Sequence, residues 1–179
     1  MELAEVLETR RSIRAYQPDK KVTREQVEEM IKAAILAPSW KNSQTARYYV
    51  VMSDDKMKEI RESCLPEYNQ NNCKDASAII ITTFVKNRAG FNREGQPDNE
   101  LGNEWGAYDL GLQNENLLLK ATEMGIGSLV MGLRDAKTLS EKLDIPDDQE
   151  VVSVISLGYP NIEPDMPKRK SVEDIAIFF

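Results

Sequence analysis

A run of β-branched and apolar residues in the middle of the chain constrains the fold more than any other feature. The segment Ala76–Phe84 reads ASAIIITTF and contains no charged residue. β-Branched side chains favour extended backbone, and an uninterrupted apolar run predicts a strand that is covered on both faces. We therefore expect a central strand with other elements packed on either side of it.

Helical and extended patterns alternate along the rest of the chain. The clearest helix is predicted over 23–37, where Thr23 and Gln26 form a capping box and Pro38 follows the apolar periodicity. The other predicted segments are helices over 2–9, Asp54–Cys64 (capped by Ser53), Trp105–Met124 and Ala136–Leu143, and strands over Arg47–Met52, Ile126–Met131 and Val151–Leu157. This alternation predicts a single domain over residues 1–179, built as a three-layer α/β or α+β sandwich.

Composition excludes several classes of function. The 179 residues include 23 Lys and Arg against 30 Asp and Glu, and this net charge of −7 argues against binding to nucleic acid or to an anionic membrane. The chain contains no histidine, so Ser-His-Asp hydrolases, Cys-His hydrolases and His-ligated zinc enzymes are excluded. An enzyme with this sequence would therefore take its reactive group from a cofactor.

Cysteine usage and hydropathy indicate the compartment. Cys64 and Cys73 form neither a CxxC pair nor a disulfide framework, which is typical of free thiols in a reducing compartment. No stretch approaches the roughly 18 apolar residues that span a bilayer, and Met1–Arg10 has no apolar signal-peptide core. We expect a cytoplasmic protein without a metal site.

Four segments carry side chains that are suited to binding a ligand. They are Arg10–Arg14 (RRSIR), Pro38–Gln44 (PSWKNSQ), Gly125–Gly132 (GIGSLVMG) and the run Lys168, Arg169 and Lys170. The cations could hold a phosphate, the amides and hydroxyls a planar heterocycle, and the glycines could allow a flat ligand to approach the backbone. Each segment taken alone favours an ordinary explanation: complementing a helix dipole, forming a turn, capping a helix or facing solvent. The GxG sequence also lacks the spacing of a dinucleotide-binding fingerprint.

Two further stretches are unusual for a small domain. The polar stretch Asn87–Asn103 is long and irregular, and it is typical of a mobile loop or a functional lid. The tail after Pro160 is rich in proline and ends in the apolar segment Ile175–Phe179 (IAIFF). Because exposed apolar ends promote aggregation, we expect this end to be buried in its own subunit or against a partner.

The four segments, in this order and at these separations, resemble the nitroreductase family of FMN-dependent oxidoreductases. The matching sequences are RRSIRAY, APSWKNSQTARYYVV, EMGIGSLVMG and ISLGYP with its basic tail, and the match extends over nearly the whole chain, from about Glu2 to Asp174. The resemblance implies an α+β three-layer sandwich with a mixed, mostly antiparallel sheet flanked by helices. It also implies a homodimer that exchanges its C-terminal tails and builds each FMN site from both chains.

The resemblance also assigns roles at the flavin. Arg10 and Ser12 would serve the phosphate and ribityl end, with Arg14 near the pyrimidine edge and Asn69 on the pyrimidine side. The complete set implied for FMN binding is Arg10, Arg11, Ser12, Arg14, Pro38, Ser39, Trp40, Asn42, Gln44, Asn69, Val130, Met131, Gly132, Lys168 and Arg169. Within it, Pro38, Ser39 and Asn42 would come from the second subunit, the backbone of 130–132 would face flavin N5, and Arg169, with Lys168 or Lys170, would close on the phosphate.

The activity implied is transfer of electrons from NAD(P)H through FMN to a quinone or nitroaromatic acceptor, with ping-pong kinetics. Three alternatives remain open from the sequence: another reaction on the same fold, such as dehalogenation or flavin fragmentation, an FMN-binding dimer without catalysis, and a structural dimer without flavin. The sequence does not distinguish NADH from NADPH or name the acceptor.

Overall fold

The apolar run forms the strand β2 (Ala78–Val85) in a computed structural model that describes residues 2–179. The other strands are β1 (Ala46–Val51), β3 (Gly127–Met131) and β4 (Gln149–Gly158). The helices are α1 (Leu3–Thr9), α2 (Arg24–Ala34), α3 (Asp54–Cys64), α4 (Glu67–Asn72), α5 (Glu104–Glu123) and α6 (Ala136–Lys142). The strands form one sheet in the order β1-β2-β4-β3, and its three pairings are antiparallel.

β2 is covered on both faces, as its composition predicts. Successive side chains of a strand point to opposite faces. Ile79 and Ile81 accordingly pack with side chains of α3 and α6, whereas Ala78 and Ile80 pack with side chains of α2 and α5. The result is a helix–sheet–helix sandwich of the α+β class, which confirms the predicted fold. A parallel pairing occurs only as an isolated bridge between Ser12 and Ser128 among the residues that the structure describes.

The predicted capping box of α2 is present. The Thr23 hydroxyl accepts a hydrogen bond from the Gln26 amide at 3.3 Å, and the Gln26 side chain accepts one from the Thr23 amide at 3.0 Å. The helix ends at Ala34, before the predicted end at residue 37, because residues 35–37 continue as a tighter turn with Leu36 N–H donating to Ala33 C=O at 3.2 Å.

The structure corrects one local prediction and adds one helix that the sequence did not indicate. Ser53 occupies the N-cap position of α3, but its side chain makes no capping hydrogen bond. The helix α4 was not predicted, because its sequence EYNQNN has no apolar periodicity. This helix matters for the site described below, since it carries Asn69.

The apolar end of the chain is exposed on its own subunit. Pro160 pairs with Tyr16, and residues 161–179 form no helix or strand in the structure. Ile175, Ile177 and Phe178 are 71%, 81% and 85% exposed. The structure therefore does not bury this segment within its own subunit, and its burial against a partner stays a prediction.

The polar stretch 87–103 is an irregular loop closed at its base by paired asparagines. Asn103 Oδ1 accepts from the Asn87 backbone amide at 2.6 Å, and Asn103 Nδ2 donates to Asn87 Oδ1 at 3.0 Å. Lys41 contacts Asp98 of this loop at 2.7 Å, so the loop is tied to the polar segment 38–44.

Gly106 is expected to tolerate no side chain, because a Cβ at this position would overlap the ring of Phe84. We expect Gly106→Ala to lower the free energy of unfolding by about 1–3 kcal/mol, which is the usual effect of overpacking a core. Urea unfolding measures this value. Adding Phe84→Leu should recover part of the loss because it frees the space. Fully additive effects of the two substitutions would contradict this account.

Candidate functional site

The arginine segment is held along the edge strand β3. Ile13 N–H donates to Ser128 C=O at 2.9 Å, and a Cβ at Gly127 would lie 2.7 Å from Cγ1 of Ile13. The absence of a side chain at Gly127 therefore allows the two backbones to approach closely. This contact determines where the cations at both ends of the segment lie.

These cations converge with the C-terminal tail on a small pocket of about 130 Å³. Its lining consists of Arg10, Arg11, Ser12, Arg14, Pro164, Asp165, Pro167 and Arg169. Segments from opposite ends of the sequence thus meet here. Lys168 and Lys170 are exposed and do not contribute to this lining, so the structure brings Arg169 alone of the basic run to the arginine segment.

The pocket carries positive charge that the protein does not neutralise by pairing. Within residues 2–179, no ion pair involves the arginines at 10, 11, 14 or 169. Arg11 donates to the Glu8 and Arg10 carbonyls at 2.6 and 2.8 Å, and its buried Nε has no partner. Unpaired guanidiniums around a small concave surface fit an anionic group such as a phosphate. The volume corresponds to about four water molecules, so a larger ligand would extend beyond this pocket.

The end of β3 offers an open backbone surface next to the arginine segment. Val130 is 46% exposed, Met131 is buried, and nothing lies within 4 Å of the position that a Cβ on Gly132 would occupy. Buried Asn69 of α4 donates from Nδ2 to Leu133 C=O at 2.9 Å, which fixes the chain just after Gly132. A flat ligand could therefore approach the backbone of 130–132.

The polar segment 38–44 forms a tight turn that leads into β1. Lys41, Asn42 and Gln44 have φ values of 45°, 55° and 50°, in the left-handed region. The Ser39 hydroxyl accepts from the Gln44 amide at 3.1 Å and thereby closes the turn. Pro38 precedes this turn, so the predicted residues of the segment lie together in one loop.

Asp109 of α5 anchors this loop and was not predicted. Its carboxylate accepts a hydrogen bond from the Trp40 backbone amide at 2.8 Å. Burial raises the pKa of Asp109 above its ordinary value, and the hydrogen bond from Trp40 opposes part of that rise. A sequence signal did exist, because Asp109 shares the buried face of α5 with Gly106, Leu110 and Gln113, where an acidic residue is unusual.

The predicted site residues thus divide into two groups within one chain. The arginine segment lies at the β3 edge and the polar loop leads into β1 at the opposite edge, with β2 and β4 between them. Strand spacing puts about 14 Å between the two edge strands. One chain does not bring the two groups together.

Asp109 is expected to make stability depend on pH. Because its pKa is raised in the folded state, the carboxyl contributes stability below its ordinary pKa near 3.8 that is lost as the pH rises through the raised value. Asp109→Asn retains an acceptor for Trp40 and stays uncharged. Chemical denaturation should therefore show the variant gaining stability relative to the unsubstituted protein between pH 4 and pH 7. A constant difference across this range would contradict the assignment.

The two cysteines are not placed to act as nucleophiles. Cys64 and Cys73 are buried free thiols, and burial raises the pKa of Cys64 and raises that of Cys73 to about 11, so both are protonated at neutral pH. Among residues 2–179, no cluster of three or more acidic or cysteine side chains is arranged to hold a metal ion. In the same range, no helix combines the length and apolar composition needed to cross a membrane.

Comparison with known proteins identifies relatives along most of the chain. The "Putative NADH dehydrogenase/NAD(P)H nitroreductase" of Archaeoglobus fulgidus is 34% identical over 173 residues, covering 92% of this chain and 88% of that protein. The NADPH-flavin oxidoreductase of Vibrio harveyi is 29% identical over 168 residues, covering 92% of this chain and 68% of that protein.

Solved structures share the fold. A protein of Exiguobacterium sibiricum, solved in complex with FMN, superposes with a TM-score of 0.88 at 22% identity and covers 100% of this chain and 98% of its own. A nitroreductase family protein of Streptococcus pneumoniae gives a TM-score of 0.84 at 22% identity, and the match covers 99% of this chain and 100% of that protein's chain. The model of the nitroreductase family matches residues 7–159. The sandwich, the ordered segments and this match agree, and the chain belongs to the nitroreductase family.

Proposed function

We propose that this protein is an FMN-dependent oxidoreductase that passes electrons from NAD(P)H to a small oxidised acceptor such as a quinone or a nitroaromatic compound. The observation that carries the proposal is the convergence of Arg10, Arg14 and Arg169 on one pocket beside the open end of β3. The FMN complex of the E. sibiricum protein and the name of the V. harveyi relative support the choice of cofactor.

The residues that line the arginine pocket fit the phosphate group of FMN in size and charge. In this proposal Arg10, Ser12 and Arg169 bind the phosphate and ribityl end, because unpaired guanidiniums and a hydroxyl line a pocket of about 130 Å³. Arg14 would stabilise negative charge at the N1 and O2 side of the ring. The segment 130–132, which is open at Val130 and Gly132, would hold the ring, with Asn69 fixing the adjoining chain through Leu133.

The protein's contribution to catalysis is to position and to stabilise charge. FMN, when bound, supplies the redox centre that takes a hydride from NAD(P)H and passes electrons to the acceptor. The chain has no histidine, and its cysteines are buried and protonated, so neither residue type supplies a nucleophile in this proposal. The electron donor NAD(P)H and the electron acceptor would occupy one site at the flavin in turn, which predicts ping-pong kinetics.

A homodimer completes the site in this proposal. Pro38, Ser39, Trp40, Asn42 and Gln44 lie at the opposite sheet edge from the arginine segment, so they would reach the flavin ring from a second copy. The exposed tail would cover the partner, which accounts for its apolar composition. Cytoplasmic localisation stays a prediction.

The experiment is an anaerobic visible spectrum of the purified protein after incubation with FMN and desalting, recorded before and after addition of NADH or NADPH. We expect retained flavin bands that bleach with at least one nucleotide. Retained bands that neither nucleotide bleaches would reject NAD(P)H as the donor. Folded protein without flavin bands would reject the proposed cofactor.

A further inference from the structure

The carboxylate of Asp165 lies in the lining of the arginine pocket, where the other charged side chains are cations. This pocket of about 130 Å³ is lined by the arginines at 10, 11, 14 and 169 and by Asp165. Within residues 2–179, Asp165 forms no ion pair with these arginines or with any other cation. A carboxylate beside guanidiniums gains strongly from direct hydrogen bonds to them. Since these bonds are not formed, both signs of charge are left available to a ligand.

The course of the tail explains how Asp165 comes to lie at this pocket. The Asn161 amide donates to the Ala15 carbonyl at 3.0 Å, so the tail begins beside the end of the arginine segment. Pro164 and Pro167 also line the pocket, and each proline ring fixes its own φ on either side of Asp165. The position of Asp165 therefore follows from backbone contacts and from the two prolines, and not from ion pairing.

A carboxylate in an anion-binding pocket has two opposite effects on a ligand. It repels a bare anion, and this repulsion reduces the attraction that the arginines exert. It also accepts hydrogen bonds from hydroxyl groups, and hydrogen bonds to a charged acceptor are stronger than those to a neutral one. A ligand therefore gains from both kinds of side chain only when hydroxyl donors lie next to its anionic group.

We propose that Asp165 makes the pocket selective for a phosphate ester on a polyhydroxylated chain over a phosphate without hydroxyl groups. The arginines contact the phosphate, and Asp165 accepts a hydrogen bond from a hydroxyl group on the adjoining chain. Inorganic phosphate and simple phosphate esters, which the arginines alone would also attract, are thereby disfavoured. The ribityl phosphate of FMN and free sugar-alcohol phosphates share this chemistry. The assignment to FMN rests on the proposed function, whereas the selectivity itself does not.

Two phosphate monoesters with chains of equal length test the proposal. Ribitol 5-phosphate carries hydroxyl groups along its chain, whereas pentyl phosphate carries the same phosphate group and no hydroxyl. The purified protein is titrated with each ester by isothermal titration calorimetry at low ionic strength, because salt screens exposed charges. Visible absorbance of the same sample records its flavin content. Where FMN is bound, the concentration of each ester that releases half of it in equilibrium dialysis gives the same comparison.

We expect ribitol 5-phosphate to bind about tenfold more tightly than pentyl phosphate. Asp165→Ala should bind pentyl phosphate more tightly and ribitol 5-phosphate more weakly, so that the preference falls to about twofold or less. Asp165→Asn should show an intermediate preference, because the amide is uncharged and keeps an acceptor oxygen. The control Glu163→Ala removes a carboxylate from an exposed position of the same tail outside the pocket lining, and it should retain the full preference.

Equal binding of the two esters, binding of neither at millimolar concentration, or an unchanged preference in Asp165→Ala would overturn the inference. The comparison is independent of the flavin ring, so its failure is distinguishable from failure of the proposed function. A protein that retains no FMN but prefers ribitol 5-phosphate through Asp165 would reject the proposed cofactor and keep this inference, with a free sugar-alcohol phosphate as the ligand. A protein that retains FMN without this preference would do the reverse.

Discussion

Replacing Arg10 and Arg169 together with alanine is expected to weaken FMN binding by at least about 100-fold. Both residues line the pocket of about 130 Å³, and neither is paired with a carboxylate within residues 2–179. A hydrogen bond to a charged group contributes about 1.5–3 kcal/mol, and about 1.4 kcal/mol corresponds to a factor of ten in affinity. Equilibrium dialysis against FMN measures the dissociation constant.

The chain provides a matched control for this experiment. Lys170 lies next to Arg169 and is a cation, yet it does not line the pocket, so Lys170→Ala should leave FMN affinity within about threefold of the original. Arg169→Lys should bind FMN with intermediate affinity, because an ammonium group lacks the planar fork of a guanidinium. A double alanine variant that folds normally and binds FMN within threefold of the original would refute the phosphate assignment.

Placing charges in the apolar tail is expected to dissociate the dimer and to lower flavin retention with it. Ile177 and Phe178 are 81% and 85% exposed on the single chain. Burying one large apolar side chain contributes about 1.5–3 kcal/mol, so losing both contacts in Ile177→Asp/Phe178→Asp should raise the dimer dissociation constant by at least about 100-fold. Sedimentation velocity at several protein concentrations measures the oligomeric state.

The control for the tail is Lys170→Asp, which changes the net charge by the same two units in the same exposed segment. This variant should remain dimeric, because the change alters no apolar contact. An unsubstituted protein that sediments as a monomer at micromolar concentration, or a charged tail variant that stays dimeric with full flavin content, would contradict the proposed assembly.

The main elements of the fold could be predicted because each depends on short-range preferences. The isoleucine-rich run became β2, and the capping box at Thr23 became the start of α2. The helix α4 escaped prediction since its polar sequence has no periodicity, and it is held in place by contacts such as Asn69 with Leu133. Local patterns carry no information about such distant partners.

The candidate site was predictable only in part. The cations at 10–14 and at 169 stand out in sequence, but each segment alone favours an ordinary structural explanation. Asp109 was missed, because a single acidic residue in a helix gives no motif. Its significance comes from its burial and from the hydrogen bond that it accepts from the Trp40 amide.

The sequence by itself determined the alternation of helices and strands, the need for a cofactor in any catalysis and the resemblance to one family, because these follow from side-chain chemistry and local order. Only the tertiary structure decided which distant segments meet. It brings Arg169 to the arginine segment, leaves Lys168 outside and places the polar loop at the opposite edge of the sheet. It also leaves the apolar tail exposed. The physical reason is that such contacts depend on the order of strands in the sheet and on the packing of two helical layers, which no local pattern encodes.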